Sequence, residues 1–359
     1  MTNNKGPGSG VTPLITFVGY TRNDGYARLF KERLQLLVRS LAGQAERFQL
    51  RVELLLVEWN PPTDQPSIAS LLADCKSNPY FTLRIVTVPP EYHAGIKGGN
   101  EKGLHPARAL NVGYRRAKGS FLSPIASDAV LSDNVFRHIK SHGLDDRYLY
   151  RLDRIDVDDD ILKKIDPLVD NLDGLANLLK ALQLHRHTPL DHDMCFHYGL
   201  KPLHTNGCGD FLLMSRSAWH ALHGQRERCG VDCLETDSLA LHAAAASGLI
   251  EKRLPDNCVV YKLAHGRMFR HKTGPYRPIV RRWIEKFVNA CIPHRSSRAI
   301  VRALIDVPRR KIEGLSGHFS SMERNLVLPA RFWAWRGRQV RLNDEKWGLA
   351  GIDLPEEII

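Results

Sequence analysis

The sequence predicts an α/β fold whose central sheet is mostly parallel and is flanked by helices. Short apolar runs of strand length alternate with longer segments that carry apolar residues at helical spacing. Polar turns separate the two kinds of segment. Because parallel strands are usually joined by crossover helices, this alternation favours a sheet that is covered on both faces.

Strand and helix alternate regularly over the first part of the chain. Four strands are predicted there, each an apolar run that a polar turn ends: Leu14–Tyr20, Leu50–Glu58, Phe81–Val88 and a strand ending at Asp128. Helical spacing between these runs predicts three helices: about 26–45, Ser67–Cys75 and Pro106–Ala117.

The pattern becomes less regular past Asp145. Three further strands are predicted: Tyr148–Arg154, Phe211–Ser215 and Val259–Leu263. Helical spacing predicts three further helices: Leu162–Leu184, one starting at Ser217–Leu222, and Asp237–Ser247, which Gly248 ends. A His-rich loop is expected between the first of these helices and Phe211.

We therefore divide the chain into three parts. Residues 1–12 are expected to be disordered, and residues 13–270 to form the α/β domain. Residues 271–359 are expected to form a basic, mainly helical C-terminal extension, because Arg residues alternate with apolar residues in segment 275–310. Such a segment is typical of a solvated helix face, and a peripheral contact with an anionic membrane surface is left open.

Charge and cysteine content indicate the kind of binding partner and the redox compartment of the protein. Lys and Arg together number 51 against 39 Asp and Glu, so the formal net charge is +12. This favours an anionic partner, such as a nucleotide phosphate, a nucleic acid or a membrane face. The seven cysteines form no CxxC pair, which favours free thiols in a reducing compartment. With no secretory signal and no membrane-spanning stretch in the sequence, we expect a cytoplasmic protein, with peripheral contact at the inner membrane face left open.

Asp128 is the most informative single residue. It is a lone acid at the carboxyl end of a predicted core strand, which is where open α/β sheets bind ligands. A divalent ion held there could neutralise a diphosphate. The plainer alternative is that Asp128 only caps the following helix.

Five polar blocks follow one another along the chain. They are Thr21-Arg22-Asn23-Asp24; Glu58 with Trp59-Asn60-Pro61-Pro62; Ala109-Leu110-Asn111-Val112-Gly113 with Ala126-Ser127-Asp128; His204-Thr205-Asn206-Gly207-Cys208-Gly209-Asp210; and Glu235-Thr236-Asp237 with Lys262-Leu263-Ala264-His265. In this order they resemble a bacterial family 2-type glycosyltransferase with the nucleotide-sugar-binding GT-A fold. The resemblance covers residues 14–270, and Asn343–Leu349 resembles a terminal element of the same bacterial proteins.

The resemblance implies a metal-assisted, inverting glycosyltransferase. It would move a sugar from a nucleoside-diphosphate sugar to a hydroxyl of a glycan, a lipid-linked or another acceptor. Asp128 and His265 would hold Mn²⁺ or Mg²⁺ on the diphosphate, and Glu235 or Asp237 would act as general base, with Glu235 favoured. Contacts with the donor or its sugar are implied for nine residues: Thr21, Arg22, Asn23, Asp24, Glu58, Asn111, His204, Asn206 and Asp210.

The chain departs from the family pattern at three positions. Leu110 replaces the Arg of an A-R-N-x-G helix. Ala126 replaces the first carboxylate of the D-x-D metal motif, and Lys262 replaces the first His of an H-x-x-H element. The retained carboxylate of Asp128 can still hold a divalent ion, because diphosphate oxygens and water can fill the remaining positions.

Plainer interpretations stay open for several of these residues. Asn23 and Asp24 could cap a helix, and Glu235 or Asp237 would be favoured at any helix N-terminus. Asp210 could serve only a turn. His265 could be a packing or surface histidine.

Two other acidic groups compete with Asp128 as metal sites. Asp156-Val157-Asp158 matches D-x-D, but it is expected in a solvated acidic run. The segment Asp191-His192-Asp193 has metal-ligand residue types but lacks paired spacing, which favours a polar substrate-facing loop.

Two other functions compete with a glycosyltransferase. A non-catalytic GT-A-like nucleotide-sugar-binding protein would explain the incomplete metal motifs. A nucleic-acid-binding protein would explain the basic charge, but no RNP, zinc-finger or helix-turn-helix signature accompanies it, so no nucleic-acid partner is expected.

Overall fold

The computed structural model describes residues 12–27, 29–75, 77–96, 99, 103–157, 203–204, 207–228, 236–263 and 339–359. Within these residues, no helix is long and apolar enough to cross a membrane. Some predicted elements and residues lie outside the described part and stay predictions: residues 1–11, Leu162–Leu184, Asp191-His192-Asp193, Asn206, Glu235, His265 and segment 275–310.

Strands and helices alternate over the first part of the described chain. The strands are β1 (Ile15–Thr21), β2 (Val52–Trp59), β3 (Phe81–Val88), β4 (Phe121–Pro124), β5 (Ala129–Leu131), β6 (Tyr148–Arg151), β7 (Asp153–Val157), β8 (Met214–Ser215), β9 (Ile250–Arg253), β10 (Val259–Leu263) and β11 (Glu356–Ile358). The helices are α1 (Phe30–Phe48), α2 (Ile68–Leu71), α3 (Glu91–Ala94), α4 (Pro106–Arg116), α5 (Asp133–His142), α6 (Arg216–Leu222) and α7 (Thr236–Ala246).

The central sheet has six strands in the order β11-β3-β2-β1-β4-β8. β1 runs parallel to β2 and β4, and β2 runs parallel to β3, whereas the edge strands β8 and β11 are antiparallel. The predicted mostly parallel α/β sheet is therefore confirmed. Because β2 and β3 lie on one side of β1 and β4 on the other, the topological switch point lies between the carboxyl ends of β1 and β4.

A three-stranded sheet begins at this carboxyl edge. Only residues 125–128 separate β4 from β5, which pairs antiparallel with β10. On its other side β10 runs parallel to β7, so the order is β5-β10-β7. β6 and β9 form a separate parallel pair.

Helices cover both faces of the central sheet, and the side chains of β1 alternate between them. Phe17 packs in the core cluster that contains Leu37 of α1, whereas Val18 packs in the cluster that contains Val112 of α4. Gly113 lets α4 approach β1 closely, because a Cβ at this position would lie 2.2 Å from Val18 Cγ1. Packing thus explains the glycine that ends the Ala-Leu-Asn-Val-Gly motif.

The predicted strands and helices of the first part are confirmed with shifts at their ends, but one strand differs in length. The strand expected to reach Asp128 ends at Pro124; the Ile125 N–H still donates to the Val18 carbonyl oxygen at 3.0 Å, and the chain then turns towards β5, which begins at Ala129. Asp128 therefore lies in the connection from β4 to β5. The helix expected at Ser67–Cys75 is reduced to the single turn α2.

The segment that follows Asp145 also differs from the prediction. The strand expected at Tyr148–Arg154 is divided into β6 and β7, and β7 continues to Val157. Asp156 consequently lies in a strand rather than in a solvated acidic run, because Lys262 is its partner in the strand register. The strand expected at Phe211–Ser215 is reduced to β8.

The last residues of the chain belong to the central sheet. Arg84 of β3 donates to both carboxylate oxygens of Glu356 in β11, each at 2.8 Å. Arg116 of α4 donates to the carbonyl oxygens of Gly348 and Ile352, both at 2.8 Å. Residues 339–359 thus pack on the α/β domain, while the greater part of the predicted helical extension lies outside the described residues.

A buried ion pair joins β2 and β3 near the amino edge of the sheet. Glu53 accepts hydrogen bonds from Arg84, from the Thr16 hydroxyl and from the Lys118 N–H. The side chains of Arg84 and Glu53 are 4% and 1% exposed. Removing one partner would leave the other charge buried, which is the costly case for an ion pair.

We expect Arg84→Met to lower the free energy of unfolding by about 3–5 kcal/mol, because Glu53 would keep a buried charge. Urea denaturation measures this change. Arg147→Met is the matched control: Arg147 pairs with Asp145 at the surface, its side chain is 72% exposed, and its loss should leave stability almost unchanged. Equal losses in the two variants would contradict the role of the buried pair.

Candidate functional site

Asp128 lies at the topological switch point, where open α/β sheets bind ligands. It connects β4 to β5, and its backbone carbonyl accepts a hydrogen bond from the Leu263 N–H at 2.9 Å. The residue is buried. A carboxylate in such surroundings needs a cation or hydrogen-bond donors beside it.

Lys262 supplies this cation. It lies in the middle strand β10, opposite Ala129 of β5 and Asp156 of β7. Its ammonium contacts the Asp128 carboxylate and lies 3.4 Å from Asp210 Oδ1. Burial lowers the pKa of Lys262, but Asp210 and Asp128 outweigh burial and raise it above the ordinary value, so the ammonium stays charged.

Arg154 of β7 continues the row of charges. Its Nη1 lies 3.0 Å from Asp210 Oδ2, and its Nε lies 3.1 Å from Asp156 Oδ1. Burial opposes ionisation of Asp210, but Lys262 and Arg154 together lower the pKa of its carboxyl group. Carboxylates and cations therefore alternate, and we call this set the switch-point cluster: Asp128, Lys262, Asp210, Arg154 and Asp156.

Two tyrosines lie near the switch-point cluster. Burial raises the pKa of Tyr20, near the end of β1, to about 12, although Lys262 opposes the shift. Its hydroxyl therefore stays protonated. The Tyr26 hydroxyl lies 3.1 Å from Oγ of Ser127, which precedes Asp128 in the chain. Both rings thus bring hydroxyl groups to the carboxyl edge of the sheet.

The residues around Asp128 do not fit the divalent ion that the resemblance implies. The Lys262 ammonium contacts the carboxylate that an ion would bind, and His265 lies outside the described residues. In the described part of the chain, no group of three or more His, Cys, Asp or Glu residues could hold a metal ion. Mn²⁺ and Mg²⁺ need several oxygen ligands, so their presence stays an untested prediction.

The polar residues after β1 contact the loop after β2. Arg22 Nε donates to the Asn60 carbonyl oxygen at 2.7 Å, and its Nη1 lies 2.8 Å from Asp24 Oδ2. Asn23 Nδ2 donates to the Pro66 carbonyl oxygen at 3.0 Å. This block therefore shapes the loops at the carboxyl edge of the sheet.

Thr21 and Glu58 lie side by side at the ends of β1 and β2. Glu58 Oε1 accepts a hydrogen bond from the Ile68 N–H at 3.0 Å, and burial raises the pKa of Glu58. The Thr21 hydroxyl is buried and has no hydrogen-bond partner within the described part of the chain. Buried polar groups are nearly always paired, so a ligand at this edge would explain the hydroxyl.

Asp237 opens α7 and lies against the turn that carries Asp210. A Cβ on Gly209 would be 2.8 Å from Asp237 Oδ2, so the missing side chain lets this carboxylate approach the turn. Its Oδ1 accepts a hydrogen bond from the Ser238 N–H at 2.8 Å. The predicted candidates Asp237 and Asp210 are therefore brought together, while Asp237 stays half-buried.

Asn111 is buried and its side-chain amide is bonded to other residues of the protein, while its predicted substrate contact stays a prediction. Its Nδ2 donates to the Gln225 carbonyl oxygen at 2.6 Å and to Glu227 Oε1 at 2.8 Å, and its Oδ1 accepts from the Gln225 N–H at 2.7 Å. Glu227 Oε1 also accepts from the Gly348 N–H, and Asn343 Nδ2 donates to the Gln225 carbonyl oxygen. Both amide protons of Asn111 thus help to hold the C-terminal element on α4.

His204 belongs to a different buried polar group. Its Nε2 lies 2.6 Å from Asp153 Oδ1, and its carbonyl oxygen accepts from Arg151 Nε at 2.9 Å. Burial, together with the positive charges of Arg151 and Arg253, lowers the pKa of His204, although Asp153 opposes the shift. No described contact joins its side chain directly to the switch-point cluster.

The sequence predicts Asp128 and Asp210 as site residues, but it does not single out the two cations that join them. One signal for Lys262 exists, because a lone lysine in the otherwise apolar strand Val259–Leu263 needs a partner. Arg154 gives no comparable signal, since charged and apolar residues alternate in its strand.

Comparisons with known proteins give no family. The chain matches no protein-family model and no curated protein. Among solved structures, TarS 1-349 of S. aureus in complex with UDP-GlcNAc aligns at 14% identity and a TM-score of 0.45, over 89% of this chain and 81% of that chain. TarS 1-349 alone aligns at 14% identity and a TM-score of 0.43, over 69% of this chain and 60% of that chain. The match thus spans less than two thirds of that chain, and a likeness of this strength assigns no function.

We expect the free energy of unfolding to fall as the pH drops from about 7.5 to about 5.5. The pKa of His204 in the folded protein is below its ordinary value of 6.5, so the unfolded chain takes up a proton that the folded protein does not. The stability linked to this group is therefore present above pH 6.5 and is lost as the pH falls below that value. Urea denaturation across this range measures the loss.

His204→Gln should show a shallower fall over the same range, because glutamine does not titrate. Part of the fall should remain, since the pKa values of His138 and His220 are also lowered by burial. Identical pH dependence in the wild type and the variant would contradict the assignment to His204.

Proposed function

We propose that the protein is a glycosyltransferase that takes its sugar from a nucleoside-diphosphate donor bound at the carboxyl edge of the central sheet. The observation that carries the proposal is the convergence of the switch-point cluster on the gap between β1 and β4. Charged side chains at this place in a parallel sheet are suited to a polar, charged ligand. The resemblance of the five polar blocks to a family 2-type glycosyltransferase implies a nucleoside-diphosphate sugar as that ligand.

The donor would extend along this edge. Its base and ribose lie at the ends of β1 and β2, where the Thr21 hydroxyl, which has no partner among the described residues, offers a hydrogen bond and Glu58 can accept one. The diphosphate lies beside Lys262. The sugar lies near Asp210 and Arg154, where a carboxylate and a guanidinium can bind its hydroxyl groups.

The reaction is a displacement at the anomeric carbon. The acceptor oxygen attacks that carbon, and the bond from it to the diphosphate oxygen breaks, so that the diphosphate leaves with the electron pair. The acceptor proton passes to the carboxylate of Glu235 or Asp237. A single displacement inverts the anomeric centre, as the resemblance implies. Asp237 is the candidate base that the structure describes, and it lies beside the turn of Asp210.

A nucleotide-sugar-binding protein without turnover is the second candidate. The observation that favours it is the position of Lys262, which contacts Asp128 where the resembling enzymes would hold an ion. Turnover of the donor separates the two candidates, because both predict nucleotide binding.

We expect at least one of UDP, GDP, CDP and dTDP to raise the melting temperature. A ligand that binds only the folded protein stabilises it by about 2.7 kcal/mol at a hundredfold excess over its Kd. Differential scanning fluorimetry measures the shift, and inorganic phosphate at the same concentration controls for unspecific anion binding. If no nucleoside diphosphate exceeds the phosphate control, the donor site is disproved.

We expect one of the variants Glu235→Gln and Asp237→Asn to lower turnover by about 10²–10⁴-fold while donor affinity is kept, because the general base acts in the chemical step and not in donor binding. Glu235 is favoured, since Asp237 lies further into α7. Donor consumption with an accepted hydroxyl compound, or slow donor hydrolysis, measures turnover. The control is Asp74→Asn at an exposed position, and full activity in both test variants would place the base elsewhere.

A further inference from the structure

Strand pairing on both sides fixes the place of Lys262. β10 pairs with β5 on one side and with β7 on the other. In this register Lys262 lies opposite Ala129 of β5 and opposite Asp156 of β7. The side chains of Lys262 and Asp128 are 11% and 4% exposed. The ammonium therefore has little room to withdraw from the Asp128 carboxylate.

A divalent ion on Asp128 would have to displace this ammonium. The displaced ammonium would stay in buried surroundings, close to the ion. It would also stay near the Arg154 guanidinium, because Lys262 and Arg154 both contact the Asp210 carboxylate. Burying charges without matched partners is costly. The ion would gain the carboxylates of Asp128 and Asp210, but the described residues offer no third His, Cys, Asp or Glu ligand.

We propose that the Lys262 ammonium takes the place of the divalent ion, so that the protein binds the diphosphate of its donor without a metal. This inference rests on the proposed function and deepens it. A lysine ammonium has three N–H donors, and among the described residues Asp128 and Asp210 take two of them, which leaves one for a phosphate oxygen. Its fixed positive charge also stabilises the negative charge that develops on the leaving diphosphate.

The roles of the neighbouring carboxylates change accordingly. In a metal site, Asp128 would be a ligand of the ion. Here Asp128 and Asp210 hold the ammonium between them, and Arg154 keeps Asp210 ionised from the other side. Asp128 and Asp210 are thus positioning residues for Lys262.

The test on the wild-type protein is calorimetric titration with UDP, or with GDP, CDP or dTDP if one of these gives the larger thermal shift. The titration is made once in EDTA and once with Mn²⁺. We expect the two Kd values to agree within about threefold. Binding that is more than about tenfold tighter with Mn²⁺ would overturn the inference and leave the proposed function intact. Absence of binding under both conditions would overturn both.

Removing the charge of Lys262 tests whether the ammonium itself binds the diphosphate. Lys262→Met keeps most of the apolar stem and removes the charge, and we expect it to weaken UDP binding in EDTA by at least about tenfold. Lys252→Met is the matched control, because Lys252 is exposed on β9. Unchanged UDP affinity in Lys262→Met would overturn the inference.

Mn²⁺ binding gives a second measurement that does not need a nucleotide. Electron paramagnetic resonance of free Mn²⁺ should show no bound ion in the wild type, whereas Lys262→Met leaves Asp128 without the lysine ammonium and Asp210 with Arg154 alone, and should bind Mn²⁺ more tightly than the wild type does. If that variant does not fold, Lys262→Met with Asp128→Asn removes both charges of the pair and should fold, bind UDP weakly and show no response to Mn²⁺. Tight Mn²⁺ binding by the wild type would overturn the inference.

Discussion

Three buried or half-buried carboxylates meet at one edge of the sheet, and the site depends on their neutralisation. Lys262 contacts Asp128 and Asp210, and Arg154 contacts Asp210 and Asp156, so each cation serves two carboxylates. Without these cations, the carboxylates would have to be protonated or exposed to water. The alternating charges therefore stabilise the switch-point cluster, in which a ligand can bind beside the fixed positive charge of Lys262.

The fold brings these residues together from distant parts of the chain. β4 delivers Asp128 to the switch point, and the pairing of β10 with β5 and β7 brings Lys262 and Arg154 beside it. The turn before β8 adds Asp210, and α7 adds Asp237 against that turn. Charge neutralisation and ligand binding thus depend on the same strand register, which links the stability of the three-stranded sheet to the function of the site.

Local patterns in the sequence were sufficient for the elements that periodicity defines. Apolar runs and helical spacing locate β1, β3, β10 and α4, and the position of Asp128 after a core strand predicts it as a site residue. The contact of Asp128 with Lys262 could not be predicted, because it depends on the pairing of segments far apart in sequence. The packing role of Asn111 likewise depends on Gln225 and Glu227, which no local pattern joins to α4.

A crystal structure of the protein with its tightest-binding nucleoside diphosphate, grown in EDTA, tests whether the diphosphate binds at the switch point against the Lys262 ammonium. We expect a phosphate oxygen within about 3 Å of Lys262 Nζ and the nucleoside at the ends of β1 and β2. A diphosphate bound away from the switch-point cluster, or Lys262 turned away from Asp128 in the complex, would contradict it.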